Sequence, residues 1–259
     1  MNAHGRLKGI GIDMKKLILF LILALLPGLS FAGSHSVSIV RGQSGGGPIY
    51  ILLYDADNPS GTNYAYLNSG ASSIAGTLTG ASISTAHPVS GNGLLYDAPN
   101  EYLTFTTGVT GIDTSEGSTE IWVYVDAAAI TGENPLFELY NTSILGTDNI
   151  VRANITATGA VYLRHEGANV PVAMTTTATI SPQTLTRLRF RWSVASNIIG
   201  VQVGEAGSWE NDADGDAVTA LAAAVDKVHL GDGVYNFTIT NPVYADNFSI
   251  MSGYDTFNN

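Results

Sequence analysis

Gly117-Ser-Thr-Glu-Ile-Trp-Val-Tyr-Val125, near the middle of the chain, constrains the fold more than any other stretch. Its β-branched and aromatic residues favour an extended backbone, and alternation puts Thr119, Ile121, Val123 and Val125 on one face. Ser118, Glu120, Trp122 and Tyr124 take the other, so neither face is plainly a solvent face. Such a strand belongs in the middle of a sheet covered on both sides. Trp122 and Trp192, which alternate with core-type residues, are expected inside.

The rest of the chain reads as strands laid around this one. Ile49–Tyr54 is a strand closed by the turn formers Asp55 to Gly61, and Gly76–Gly80, Leu94–Tyr96 and Glu101–Phe105 follow. Further runs recur at Leu136–Tyr140, 150–157, Ala160–Arg164, 172–180, 185–194 and Ile198–Val203. They are separated by Gly, Asn or Pro, as in an antiparallel meander. Asp216 to Val225 is the one expected helix, and Lys227–Leu230, 236–239 and 247–251 close the domain. With 29 Gly, 13% charged residues and turn signals throughout, the chain is expected to be an all-β sandwich or barrel. A domain of this size needs no disulfide, so the absence of Cys excludes only a disulfide framework and thiolate metal sites.

Met14-Lys-Lys16, the apolar run Leu17–Leu26, Pro27-Gly28 and Ser30-Phe-Ala32 read as a secretory signal peptide of bacterial type, with Met14 as the true start. The apolar run is shorter than the roughly 20 residues that span a bilayer. The alternative is an anchor kept in the mature protein. The expected organisation is a leader at 1–32, a flexible Gly/Ser-rich arm at 33–47 and one β domain at 48–259. Without the leader the chain keeps 7 basic and 21 acidic residues, a net charge of −14. That balance argues against nucleic acid and anionic lipid as partners. The expected location is secreted, periplasmic or cell-surface.

Four stretches in order resemble the laminin-G-like jelly roll of the concanavalin A-like lectin/glucanase superfamily. Tyr50 to Asp55, Asn68-Ser-Gly70 and Gly76-Thr-Leu-Thr-Gly80 are similar to its opening. Gly93-Leu-Leu-Tyr-Asp97 with Asn100-Glu-Tyr-Leu-Thr-Phe105 is similar to "G-x-A-L-x-F-D-G-x-N-D-Y-V-x-F". Gly117 to Val125 is similar to "G-T-I-E-F-W-V", and Tyr244-Ala-Asp-Asn-Phe-Ser-Ile250 to the closing "Y-I-D-N-V-R-I". The resemblance implies a two-sheet antiparallel jelly-roll sandwich with a concave side that relatives use for glycans. It also implies a structural Ca²⁺ held by Asp246 with groups near Asp55 and Asp57; the alternative for Asp246 is a turn cap.

Enzymatic members carry "E-x-D-x-x-E" on one strand face, and no such run exists here. Glu120 and Asp126 share a face but lie about 20 Å apart at strand rise, beyond the separations of retaining and inverting pairs. No catalytic residue is therefore expected. Asp212, Asp214 and Asp216 alternate in a Gly loop, which suits Ca²⁺ or, equally, a solvated acidic loop.

Five of the seven basic residues that remain after the leader lie between Arg152 and Arg191. Arg187, Arg189 and Arg191 alternate with Leu188, Phe190 and Trp192 and so share one face. Arg152 and Arg164 sit on preceding strands, with Tyr162 beside Arg164. If these strands are neighbours, a basic patch crosses one sheet and suits an anionic glycan, through bidentate arginine contacts. The alternative is a ladder of ion pairs with Glu120, Glu138 or Glu166. Trp209, in a polar loop, is the expected surface aromatic for sugar stacking. The sequence thus points to a secreted, non-catalytic carbohydrate-binding module. Its alternatives are a structural or adhesion protein that pairs with copies of itself, and a glycan-degrading enzyme.

Overall fold

The structure, a computed structural model, describes residues 50–67, 72–106, 112–143, 150–167, 171–212, 216–232 and 239–251. All of these belong to one compact unit, 36–259. The leader, the arm, Asp214, the Asn68-Ser-Gly70 turn and most of the 236–239 run lie outside them.

The seventeen strands among the described residues form two sheets, with every pairing antiparallel. Sheet A contains β1 (Tyr50–Tyr54), β2 (Tyr64–Leu67), β3 (Ser72–Ala75), β5 (Ser82–Ser84), β6 (Gly93–Tyr96) and β8 (Glu116–Val125). It also takes β13 (Thr186–Ser193), β14 (Ile198–Val203), β15 (Trp209–Asn211) and β17 (Val243–Met251). Its order is β15-β14-β13-β8-β17-β1-β2-β3, with β6 pairing β17 and β5 pairing β6. Sheet B contains β4 (Thr77–Thr79), β7 (Tyr102–Phe105), β9 (Asn134–Tyr140), β10 (Ile150–Ile155), β11 (Ala160–Glu166), β12 (Pro171–Thr179) and β16 (Lys227–Gly231). Its order is β12-β11-β10-β9-β16-β7-β4. The expected meander holds for β9 to β12, after which the chain crosses to sheet A.

The two inner faces meet in one core. Phe137 of sheet B stands edge-on to Phe190 of sheet A at 5.0 Å and tilted against Phe248 at 5.5 Å. Such aromatic contacts add specific geometry to the area that they bury. Gly117 lies directly opposite Trp192, whose ring is buried, and a methyl at Gly117 would overlap that ring. The glycine that leads the central stretch therefore makes room for the largest side chain of the core.

Two expectations are overturned. Trp122 is not inside: Ile121, Val123 and Val125 fill the core, while Trp122 and Tyr124 are half-buried on the outer face of sheet A. The helix expected at 216–225 is absent. The Val218 amide donates to Asn197 Oδ1 (2.7 Å) and the Leu221 amide to the Thr114 carbonyl (3.3 Å). Val218, Leu221 and Val225 are buried in the core cluster. A tertiary partner takes the Leu221 amide, which a helix from 216 would have paired with residue 217, and burial outweighs the helix preference of alanine.

Candidate functional site

Alternation along β10 and β11 sends Val151, Ala153, Ile155, Val161 and Leu163 into the core and Arg152, Asn154, Tyr162 and Arg164 to the outer face of sheet B. Arg152, Asn154, Thr156, Tyr162, Thr175 and Glu133 line a depression of about 390 Å³ there. That is within the roughly 300–1,000 Å³ of small-ligand sites. Asn154 is 2% exposed, and its side-chain carbonyl oxygen accepts no hydrogen bond among the described residues. A buried polar oxygen without a donor costs about 1–3 kcal/mol, which a donor from a ligand or water would recover.

A polar row crosses the sheet beside this depression. Arg164, Arg152, Glu138 and His229 stand directly opposite one another on β11, β10, β9 and β16. Two arginines face to face repel. Each has an acid nearby: Arg164 pairs with buried Glu166, and Arg152 faces buried Glu138. His229 stacks on Tyr102 at 4.8 Å, and its Nε2 meets the Tyr140 hydroxyl at 3.1 Å. Burial, and then Lys227, hold the imidazole down at about 4, so it is neutral at pH 7.

The other arginines lie elsewhere. Arg187, Arg189 and Arg191 project from β13 on the outer face of sheet A, so the five do not form one patch across one sheet. Arg187 Nη2 and Arg189 Nε share one oxygen of Glu120, at 2.6 and 3.3 Å. Arg189 also donates to Gln202 (3.0 Å), and Arg191 to Asn211 (3.0 Å). The Arg191 guanidinium lies 4.0 Å from the centre of the Trp209 ring, and that of Arg187 lies 5.9 Å from the Trp122 ring. Burial and the neighbouring Arg187 push Arg189 below its ordinary value.

The acids expected to hold calcium are engaged by hydrogen-bond donors. Asp57 accepts the Asn92 amide (3.0 Å), the Asn92 side chain (2.7 Å) and the Ser90 hydroxyl (3.4 Å). Asp246, 3% exposed, accepts the Val89 and Asn247 amides at 2.9 and 2.8 Å. Both carboxylates hold the 88–92 loop or its neighbour in place. Burial raises Asp246 to about 7 and raises Asp55 as well, their mutual repulsion adding to the Asp246 shift. Asp55 accepts the Asp57 amide at 2.8 Å. Asp212 and Asp216 flank an undescribed stretch that includes Asp214. Among the described residues no three metal-ligating side chains converge.

Asn154, Glu133, Thr156 and Thr175 were not singled out in the sequence. Asn154 had a signal: asparagine is disfavoured inside strands, and it shares the outer face with Arg152.

No protein-family model matches the sequence, and no curated protein matches it. Solved structures do. The binding domain of botulinum neurotoxin serotype D superposes with a TM-score of 0.56 at 10% identity, over 80% of this chain and 49% of that one. The serotype D ligand binding domain in complex with N-acetylneuraminic acid gives 0.54 at 11%, over 79% and 48%. A carbohydrate esterase from the Shiga toxin-encoding bacteriophage phi24B gives 0.51 at 16%, over 79% of this chain and 99% of that one. The chain spans about half the length of the neurotoxin domains that it matches. At these identities the likeness is one of fold: a two-sheet antiparallel β-sandwich.

Proposed function

We propose that this chain is a secreted, non-catalytic carbohydrate-binding module on a laminin-G-like, concanavalin A-like jelly roll, with its sugar site in the depression around Arg152 and Asn154. The single observation that carries this reading is the buried Asn154 oxygen, lacking a donor, beside an arginine and a tyrosine. Sugar hydroxyls supply donors to Asn154 and Glu133, accept from Arg152, and leave a ring face for Tyr162. Support also comes from two neighbours in fold, one solved with N-acetylneuraminic acid and one a carbohydrate esterase. Arg152 in the lining suits a carboxylate- or sulfate-bearing sugar, and Glu133 offsets its charge enough to admit a neutral one.

The test is calorimetric titration of neutral, uronic-acid, sulfated and sialylated oligosaccharides into the protein and into Arg152→Ala. One class should bind the parent and bind the variant at least about tenfold more weakly. Failure of every class, or equal binding by the variant, would reject the site. The esterase neighbour, matched over nearly its whole length, supports a second reading: hydrolysis of sugar esters. Release of acetate from acetylated polysaccharide would put that reading first.

A further inference from the structure

Residues 58–96, 39 in a row, contain no Asp, Glu, Lys or Arg, in a chain with 22 acidic and 11 basic residues. Among the described residues this run supplies β3, the end strand of sheet A, β4, the end strand of sheet B, and β5, which pairs only with β6. Edge strands are normally guarded by charge, proline or a bulge. Ser72-Ser-Ile-Ala75 has none of these in its register with β2, and Ser72, Ser73 and Ala75 are exposed. The opposite side of the sandwich is closed. There Glu210 of β15 accepts the Thr177 and Ala178 amides of β12 at 2.7 and 2.9 Å.

The register says which backbone groups β3 leaves open. The Gly76 amide donates to the Asn63 carbonyl at 2.7 Å, and these residues are opposite in the β2–β3 register. In an antiparallel pair hydrogen-bonded positions alternate. Ile74 and Ser72 therefore turn their backbone groups to β2, and Ser73 and Ala75 turn theirs outward.

We propose that two copies of this chain pair through β3, antiparallel across a two-fold axis, so that sheet A continues from one copy into the other. Ser73 of each copy then lies opposite Ala75 of the other, and each such pair exchanges two N–H···O bonds. The two Ile74 side chains meet at the axis, where a non-hydrogen-bonded pair brings them closest. Charge selects the partner. An acidic protein repels its own copies over most of its surface, and β3, β4 and β5 contribute no Asp, Glu, Lys or Arg. The acids that reach the 58–96 run, Asp57 at Ser90 and Asn92 and Glu101 at Gly80, lie outside these strands. The cavity on sheet B lies among β9 to β12, away from β4, so both sites of a dimer stay open and a multivalent ligand gains avidity. A four-residue strand makes a small contact, so the dimer depends on concentration.

Sedimentation equilibrium on the purified protein tests this, run from micromolar to near-millimolar concentration beside Ser73→Lys and Ala75→Pro. The parent should move from monomer to dimer. Ala75→Pro removes an outward N–H from each copy and Ser73→Lys puts charge into the contact. Each should weaken dimerisation by roughly tenfold or more. Melting temperatures show that the variants still fold. A parent that stays monomeric throughout, assembles larger than a dimer, or dimerises equally well with folded variants would overturn the proposal. None of these outcomes bears on glycan binding.

Discussion

The outer faces of the two sheets carry similar residues and use them in opposite ways. On sheet A three arginines rise from one strand, and their partners come from the same sheet: Glu120 between two of them, then Gln202, Asn211 and the Trp209 ring. On sheet B Arg152 stands at the wall of a cavity beside Asn154, whose oxygen lacks a donor. A face whose polar groups satisfy one another is a structural device, because binding must first break what is already made. A face with an unsatisfied acceptor on a residue of the cavity wall gains when that acceptor acquires a donor. Arginine content does not separate the two; the register of neighbouring strands does.

The largest expected difference between the faces is in their response to pH. Sheet B carries His229, held at about 4 against an ordinary 6.5, and buried His165 in the core is also held at about 4. A lowered imidazole favours the neutral form, so stability is lost as pH falls from about 6.5 to about 4. Sheet A carries Asp246, raised to about 7 from 3.8, which has the opposite sign: its contribution is full below about 4 and is lost as pH rises through 7. Two imidazoles outweigh one carboxyl, so urea denaturation should show stability falling by a few kcal/mol between pH 7 and 4. His229→Gln should flatten that fall, and Asp246→Asn should steepen it. Calcium bound beside Asp55 and Asp246 would replace the Asp246 behaviour. Stabilisation by added Ca²⁺ that Asp246→Asn abolishes would restore the cation to this site.

Next in size is Glu120→Ala, which leaves Arg187 and Arg189 crowded on sheet A without their shared counter-charge. It should cost about 2 kcal/mol in chemical denaturation and leave glycan binding unchanged. Arg152→Ala should lower affinity about tenfold and, because it leaves buried Glu138 without the arginine opposite it, should also cost about 1–3 kcal/mol of stability. If Glu120→Ala also weakened glycan binding, or Arg152→Ala left it unchanged, the contrast between the faces would fail.

Strands with a strong period were legible in the sequence, and β8, β13 and β14 lie where alternation puts them. Short strands were not legible: β3 and β5 are mostly Ser and Ala, β2 is only four residues set among Asn, Gly, Ser and Thr, and β15 is three residues in a polar run. Neighbouring strands rather than local preference hold these segments extended. Trp122 was misplaced for a related reason. Alternation assigns it a face but cannot say whether a second layer covers that face, and here Arg187 rather than a sheet lies over the ring. Alternation puts Arg187, Arg189 and Arg191 on one face of β13 but leaves open whether β10 and β13 are neighbours, which depends on the crossover after β12. They are not: Arg187 and Arg189 meet Glu120, Arg152 faces Glu138 and Arg164 pairs with Glu166, the alternative that the sequence also offers. Asn154 became a candidate only when burial showed its oxygen without a donor.

The smallest expected effect concerns Trp209, which the sequence marks as a sugar platform. In the structure one face of its ring is taken by Arg191, 4.0 Å away on the outside of sheet A. A half-exposed cation–π contact is worth about 0.5–1 kcal/mol. Trp209→Ala should therefore lower stability by that amount and leave affinity for a glycan bound at Arg152 unaltered. A loss of affinity comparable with that of Arg152→Ala would move recognition to sheet A. The pairing of its arginines within the sheet would then be a resting state that the ligand displaces.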